Sequence, residues 1–168
     1  MRIENLDTEK RNPNSLQIDR VSTEEMLRII NQEDQTIAQQ VGEKLELIAE
    51  AVDQGSARYK KGGRLIYIGA GTSGRLGLLD AVELVPTYGI SPDRAIGLIA
   101  GGNQAFVRAV EGAEDSKELA VEDLKSISLS KEDVVIGLAA SGRTPYVIGG
   151  LEYANDIGAL TIAISCNP

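Results

Sequence analysis

The rhythm of apolar residues along the chain changes near residue 64. Before it, Ile37, Val41, Leu45, Ile48 and Val52 recur at spacings of four, four, three and four. That period lines them along one face of a helix. Upstream, Ser22-Thr23-Glu24-Glu25 is a capping box, in which a hydroxyl and a carboxylate satisfy free N–H groups at a helix start. It predicts a short helix through Met26, Leu27 and Ile30, followed by the longer periodic one. Gly62-Gly63 ends the helical stretch. Residues 1–20 are polar, contain Asn12-Pro13-Asn14, and read as an extended or mobile arm.

After Arg64 the pattern becomes four short apolar runs separated by helical stretches. The runs are Leu65-Ile66-Tyr67-Ile68, Ala95-Ile96-Gly97-Leu98-Ile99, Val134-Val135-Ile136-Gly137-Leu138 and Leu160-Thr161-Ile162-Ala163-Ile164. Continuous apolarity, rather than alternation, is what a strand covered on both faces needs. Between the runs, Leu76-Leu79-Val82, Phe106-Val110, Leu119-Leu124 and Ile148-Leu151-Tyr153 suit crossover helices, which parallel pairing requires. The expected fold class is α/β: a doubly wound parallel sheet flanked by helices, with an N-terminal helical extension. The boundary falls at residues 1–60 for the arm and helices packing on the domain, and 61–168 for the domain itself. The chain ends at Asn167-Pro168, just past the fourth run. A sheet of this kind is usually closed by a further strand and helix, so a C-terminally truncated domain is expected.

Composition removes several chemistries. The 168 residues contain no histidine and one cysteine, which excludes Ser-His-Asp triads, Cys-His pairs and imidazole metal sites. Cys166 ends an apolar run and is expected to be a buried thiol. The net charge is −8, with no block of Lys or Arg able to track a nucleic-acid backbone. Nucleic acid and anionic membranes are therefore not expected partners. No apolar run approaches the roughly 20 residues of a bilayer span. Met1-Arg2-Ile3-Glu4-Asn5 lacks the apolar core of a signal peptide, so the default location is the cytoplasm.

A small anionic ligand stays compatible with this charge, because local N–H groups matter more than the total. The first run leads into Gly69-Ala70-Gly71-Thr72-Ser73-Gly74-Arg75, and the third into Ala139-Ala140-Ser141-Gly142-Arg143-Thr144-Pro145. Both carry Ser-Gly-Arg and both precede a helix. Small residues let backbone approach a ligand, hydroxyls donate to anionic oxygens, and a helix N-terminus adds free N–H groups. Thr144 before Pro145 fits a helix cap. Gly and Ser also serve plain turns, and Arg75 and Arg143 could simply be solvated. The first loop matches G-x-G-x-x-G, but Ala100-Gly101-Gly102 stands where a ribose-binding acid belongs. No Gly-Lys-Ser/Thr follows either. A phosphorylated sugar is the ligand these corners suit.

At these loops the sequence resembles the N-acetylmuramic acid 6-phosphate etherases. The stretches that carry the resemblance are residues 63–77, Pro86-Thr87-Tyr88-Gly89, residues 109–116, Ala139-Ala140-Ser141-Gly142-Arg143-Thr144-Pro145-Tyr146 and Ile164-Ser165-Cys166-Asn167-Pro168. Ile18-Asp19-Arg20-Val21-Ser22-Thr23 and Ile29-Ile30-Asn31 join them, so the likeness runs unbroken from about residue 15. It implies a sugar isomerase (SIS) domain and a homodimer. It also implies cleavage of the D-lactyl ether of N-acetylmuramic acid 6-phosphate, in cell-wall recycling, without metal or other cofactor. By position, Glu83 matches the family's general acid and Glu114 its general base. Gly71, Thr72, Ser73, Gly74, Ser141, Gly142, Arg143 and Thr144 fall in the substrate-binding loops. One carboxyl must stay protonated near neutral pH, and Glu83 among Ala81, Val82, Leu84 and Val85 has apolar neighbours in sequence. Where the family pattern runs nearer Asp-Ala-Ser-Glu-Cys, this chain has Asp80-Ala81-Val82-Glu83-Leu84, which changes the acid's polar surroundings. Family members are longer, and their second half adds a Ser- and Lys-containing substrate segment. The same fold also carries the glucokinase regulatory protein, a binding protein, and aldose–ketose isomerases. A non-catalytic sugar-phosphate regulator is thus the alternative reading, and an isomerase a third.

Overall fold

The computed structural model describes residues 6–167. The expectations drawn on Met1–Asn5 and on Pro168 lie outside the described residues. Two compact units divide the chain, Met1–Val52 and Asp53–Pro168, where the sequence draws its line at 60/61.

In the first unit, Ser22 caps helix α1 (Thr23–Gly42) by accepting the Glu25 N–H at 3.2 Å. The short and long helices expected here are distributed differently. The helix α1 continues through Ile37 and Val41, then stops at Glu43, and α2 (Leu45–Lys60) begins. Gly42 is the weak point, since glycine is a poor helix former. The predicted apolar face exists but is open: Ile37, Val41, Leu45, Ile48 and Val52 are all exposed. Among the described residues the arm is not extended throughout. It forms 3-10 turns at Asp7–Glu9 and Pro13–Ser15, and Asn12 and Asn14 donate to the Glu33 carboxylate at 2.8 and 2.7 Å. Those two bonds hold the Glu33 carboxyl below the ordinary carboxylate range.

In the second unit all four apolar runs are strands: β1 (Leu65–Gly69), β2 (Ala95–Ile99), β3 (Val134–Leu138) and β4 (Leu160–Ile164). They pair in parallel in the order β2-β1-β3-β4. Helix α3 (Gly71–Tyr88) follows β1, α5 (Lys117–Ser126) precedes β3, and α6 (Pro145–Ile157) follows it. The Phe106-Val110 stretch gives only a single turn, α4 (Gln104–Val107). The chain turns extended at Arg108, at φ −137 and ψ 143, and Val110 then lies against Gly101, where an added Cβ would meet it at 2.8 Å.

Glycines on the strands show which helix covers which face. A side chain at Gly97 would strike Leu78 of α3, and one at Gly137 would strike Val147 and Leu151 of α6. Side chains alternate along each strand. Tyr67 therefore faces α3, meeting it at Gly77, while Ile68 faces the opposite side and meets α6 at Gly150. The main core lies on that second side, where Ile66, Ile68, Leu124, Val135, Tyr146 and Val147 are buried among α5 and α6. Tyr146 is fully buried and its hydroxyl donates to Asp123 at 2.6 Å, joining α6 to α5. Burial and that carboxylate push the phenol well above its ordinary range.

At the amino ends of the strands, Asp133 is 1% exposed. It accepts from Arg64 through the backbone N–H, Nε and Nη2, at 2.9, 3.1 and 2.7 Å. It also accepts from Ser130 N–H at 2.9 Å. Arg64 donates further to the carbonyls of Ile127 and Ser128. This network ties the start of β1 to the turn before β3. Among the described residues, no helix is long and apolar enough to cross a membrane.

Candidate sugar-phosphate site

Strands β1 and β3 are neighbours, with Gly69 beside Leu138. From β1 the chain crosses outward to β2, and from β3 it crosses the other way to β4. The sheet order therefore reverses between β1 and β3. Ligands of open parallel sheets bind in the crevice that this reversal opens at the carboxyl ends. Both Ser-Gly-Arg loops leave from that crevice, so the two candidate corners are side by side.

The first corner is shaped by its glycines. Gly71 has φ +54, a left-handed conformation, with open space where a side chain would be. Gly74 is buried, and a Cβ there would lie 2.7 Å from both the Gly69 carbonyl oxygen and Ile99 Cγ1. The first turn of α3 is thereby pressed onto the ends of β1 and β2. Ala70 stands at the cap position and supplies no side-chain bond. The start of this 18-residue helix thus offers main-chain donors and the positive dipole end beside Thr72 and Ser73.

The second corner is held from β4. The Ala140 carbonyl accepts both the Cys166 N–H at 3.0 Å and Asn167 Nδ2 at 3.1 Å. Ser165 Oγ donates to the Asn167 carbonyl at 2.5 Å. Within the loop, Ser141 Oγ accepts the Arg143 N–H at 3.2 Å, and Gly142 adopts φ +69. Thr144 occupies the cap position of α6 with Pro145 behind it, as the sequence predicts, but its hydroxyl makes no capping bond. A cleft of about 190 Å³ opens here between α6, β3 and β4, and Ser141, Gly142, Arg143, Ser165 and Asn167 line its mouth. Of the eight loop residues singled out in the sequence, Gly74 is buried and acts in packing. The other seven are at least partly accessible.

The two carboxylates are less tightly arranged. Glu83 lies on α3, twelve residues and thus about 18 Å along the helix from Gly71. It is exposed. Its neighbours in sequence point elsewhere: Ala81 packs inward at 3% exposure, while Val82 is 57% exposed. The apolar setting read from residues 81–85 is therefore not an apolar enclosure within this chain. Leu76 and Leu79, at 60% and 50% exposure, extend an open apolar surface on the same helix. Glu114 is also exposed, on the 3-10 turn Ala113–Asp115 that follows Gly112 at φ +76. That turn packs against α6. Glu83 and Glu114 thus stand on elements that cover opposite faces of the sheet, and among the described residues no hydrogen bond joins them.

Two further expectations change. Cys166 is exposed rather than buried, because it follows β4, which pairs on one side only. Arg75, which the sequence reads as solvated sooner than ligand-bound, is tied to the chain itself: its Nε donates to Phe106 O at 2.8 Å and its Nη2 to Ala105 O at 2.9 Å. Asn167 as a clamp on the second corner had no signal in spacing or periodicity, since its partner lies 27 residues away.

Comparison with known proteins narrows what this geometry serves. Residues 47–155 match the family model described as the glucokinase regulatory protein N-terminal SIS domain. An N-acetylmuramic acid 6-phosphate etherase of Lactobacillus acidophilus is 68% identical over 99% of this chain. One from Exiguobacterium is 59% identical over 98%, and N-acetylmuramic acid 6-phosphate etherase 1 of Enterococcus faecalis is 59% identical over 99%. The chain spans 56% of the length of each of these relatives. Among solved structures, a phosphoheptose isomerase from Francisella tularensis matches with TM-score 0.60 at 19% identity, over 83% of this chain and 74% of that one. Another from Neisseria gonorrhoeae matches with TM-score 0.57 at 15% identity, over 82% and 73%. These two establish the fold alone.

Proposed function

We propose that this chain, which belongs to the SIS-domain family of the glucokinase regulatory protein N-terminal type, is the sugar-phosphate-binding part of an N-acetylmuramic acid 6-phosphate etherase. The observation that carries this reading is identity of 59–68% to etherases over nearly the whole chain, coinciding with two helix-start corners at one sheet reversal. In this reading Thr72 and Ser73 on one corner, and Ser141, Gly142, Arg143 and Thr144 on the other, hold the sugar and its phosphate.

The reaction follows from the substrate's chemistry. With the sugar ring open, the aldehyde at carbon 1 acidifies the proton on carbon 2. The Glu114 carboxylate takes that proton. Glu83 lies about 18 Å along α3 from Gly71 within one chain. In this reading the Glu83 carboxylic acid of a second copy therefore gives a proton to the ether oxygen on carbon 3 as the carbon–oxygen bond breaks, leaving a double bond between carbons 2 and 3 and free D-lactate. Water then adds across that double bond, its hydroxyl to carbon 3, and yields N-acetylglucosamine 6-phosphate. General acid–base catalysis of this kind contributes about 10²–10⁴-fold for each group.

A proton donor needs a drier setting than Glu83 has in the isolated chain. The open apolar surface of Leu76, Leu79 and Val82 around it supports a homodimer, or contact with the remainder of the full-length protein, as the cover. The enzyme would act in the cytoplasm on amino sugars recovered from the cell wall. One observation favours a second reading: the matching family model is described after a regulatory protein. A regulator would bind the sugar phosphate and leave it intact. Incubating the full-length protein with N-acetylmuramic acid 6-phosphate and assaying D-lactate separates the two. Lactate release is expected, and saturable binding without release would replace the etherase by the regulator.

A further inference from the structure

Between β2 and α5 the chain makes a long excursion, residues 100–116, which carries Glu114 near its end. Little regular structure supports it: one helical turn at Gln104–Val107 and the 3-10 turn at Ala113–Asp115. Three glycines within it, Gly101, Gly102 and Gly112, have left-handed φ values of +88, +72 and +76. An element of this kind has few internal bonds to fix its path. It is held at two places: the Ala113–Asp115 turn packs against α6, and the Gln104–Val107 turn is tied to the first corner. Arg75, one residue past the Gly74 pivot of the first corner, donates Nε to Phe106 O at 2.8 Å and Nη2 to Ala105 O at 2.9 Å. Those carbonyls end α4, where a helix leaves acceptors unsatisfied. A planar guanidinium matches two adjacent acceptors, which an ammonium cannot do. Ala105 itself is 5% exposed; its bond from Arg75 is partly buried, and the one to Phe106 is exposed.

From this geometry we infer that Arg75 is a positioning residue: by holding the start of the 100–116 excursion to the corner at residues 71–74, it sets, together with the packing of Ala113–Asp115 on α6, where Glu114 stands relative to that corner. The inference rests on the reading of Glu114 as the base. Arg75 touches no reacting atom in this role. Its effect passes through the segment it anchors, and small misplacements of a reacting group are costly, about 100-fold for 1 Å.

The test uses the full-length protein with Arg75→Ala and Arg75→Lys, and N-acetylmuramic acid 6-phosphate carrying hydrogen or deuterium on carbon 2. Arg75→Ala is expected to lower kcat about tenfold or more, leave KM within about threefold, and enlarge the isotope effect, since proton abstraction becomes slower. Arg75→Lys, with one point donor, is expected to fall between, and dilute guanidinium is expected to restore part of the Arg75→Ala rate. Amide exchange should quicken over residues 104–115 while β1 and β3 keep wild-type protection. A rise in KM with kcat unchanged would make Arg75 a substrate contact and overturn the inference. So would a fall in kcat that matches the fall in folded fraction read from the melting curve, which marks only fewer folded molecules. If the wild-type protein releases no lactate, the etherase reading has failed. The exchange arm then decides alone, and unaltered exchange over residues 104–115 refutes the anchoring.

Discussion

Glu114→Gln in the full-length protein is expected to reduce lactate release by about 10²–10⁴-fold. The substitution preserves shape and removes only the capacity to accept a proton. Glu114 is exposed on a short turn, and such positions shift stability by about 0.5 kcal/mol or less. The melting temperature should therefore stay near that of the wild type. Substrate affinity should also persist, because the corners proposed to hold the sugar phosphate, at residues 71–74 and 141–144, are untouched. A base is needed before any bond breaks, so exchange of the carbon 2 proton with solvent should vanish along with lactate. Lactate release at the wild-type rate would remove Glu114 from the mechanism and leave the proton acceptor to another group.

Asp133→Ala is expected to cost about 3 kcal/mol of stability, read from the urea midpoint. Removing one partner of a buried ion pair costs about 3–5 kcal/mol, because the other charge is left without compensation. The lower end applies because the Arg64 side chain keeps 22% of its exposure, against 2% for Asp133. The alanine also strands the N–H groups of Arg64 and Ser130 that now donate to the carboxylate. The effect has a pH signature. Burial alone would raise the Asp133 pKa, but the Arg64 side chain and the two backbone N–H groups outweigh it and hold the carboxyl below its ordinary range. A group whose folded pKa is depressed contributes fully above its unfolded value, about 3.9. That contribution is lost as pH falls through the folded value. The gap between wild type and Asp133→Ala should therefore be constant from neutral pH to about 4 and narrow below it. A gap that stays constant to pH 2 would show that the carboxylate's charge is not what holds β1 to the turn before β3.

Most of the domain's framework could be read from the sequence because it is written in local patterns. Each apolar run became a strand, since a residue such as Ile68 or Val135 has a helix or a neighbouring strand to meet on every side. The two corners were legible for the same reason: Gly71, Gly74 and Gly142 mark places where backbone must turn sharply or approach closely. What escaped depends on partners distant in sequence. The arm's turns are tied through Asn12 and Asn14 to Glu33, and Arg75 to carbonyls some thirty residues on. Neither distance leaves a period. Glu83 misled in another way: residues adjacent on a helix point in different directions, so its apolar sequence neighbours do not enclose it. Cys166 misled because an apolar run implies burial only where both edges of the strand are covered.

The proposed function requires one placement, a phosphorylated sugar held at the reversal between β1 and β3. The crystal structure of the full-length protein with N-acetylglucosamine 6-phosphate, the product of the proposed reaction, tests it most directly. The expected structure places the phosphate within hydrogen-bond reach of Ser141, Thr144 or the first-turn amides of α6, and the sugar hydroxyls beside Thr72 and Ser73. A phosphate bound away from both corners, with residues 71–74 and 141–144 empty, would contradict it.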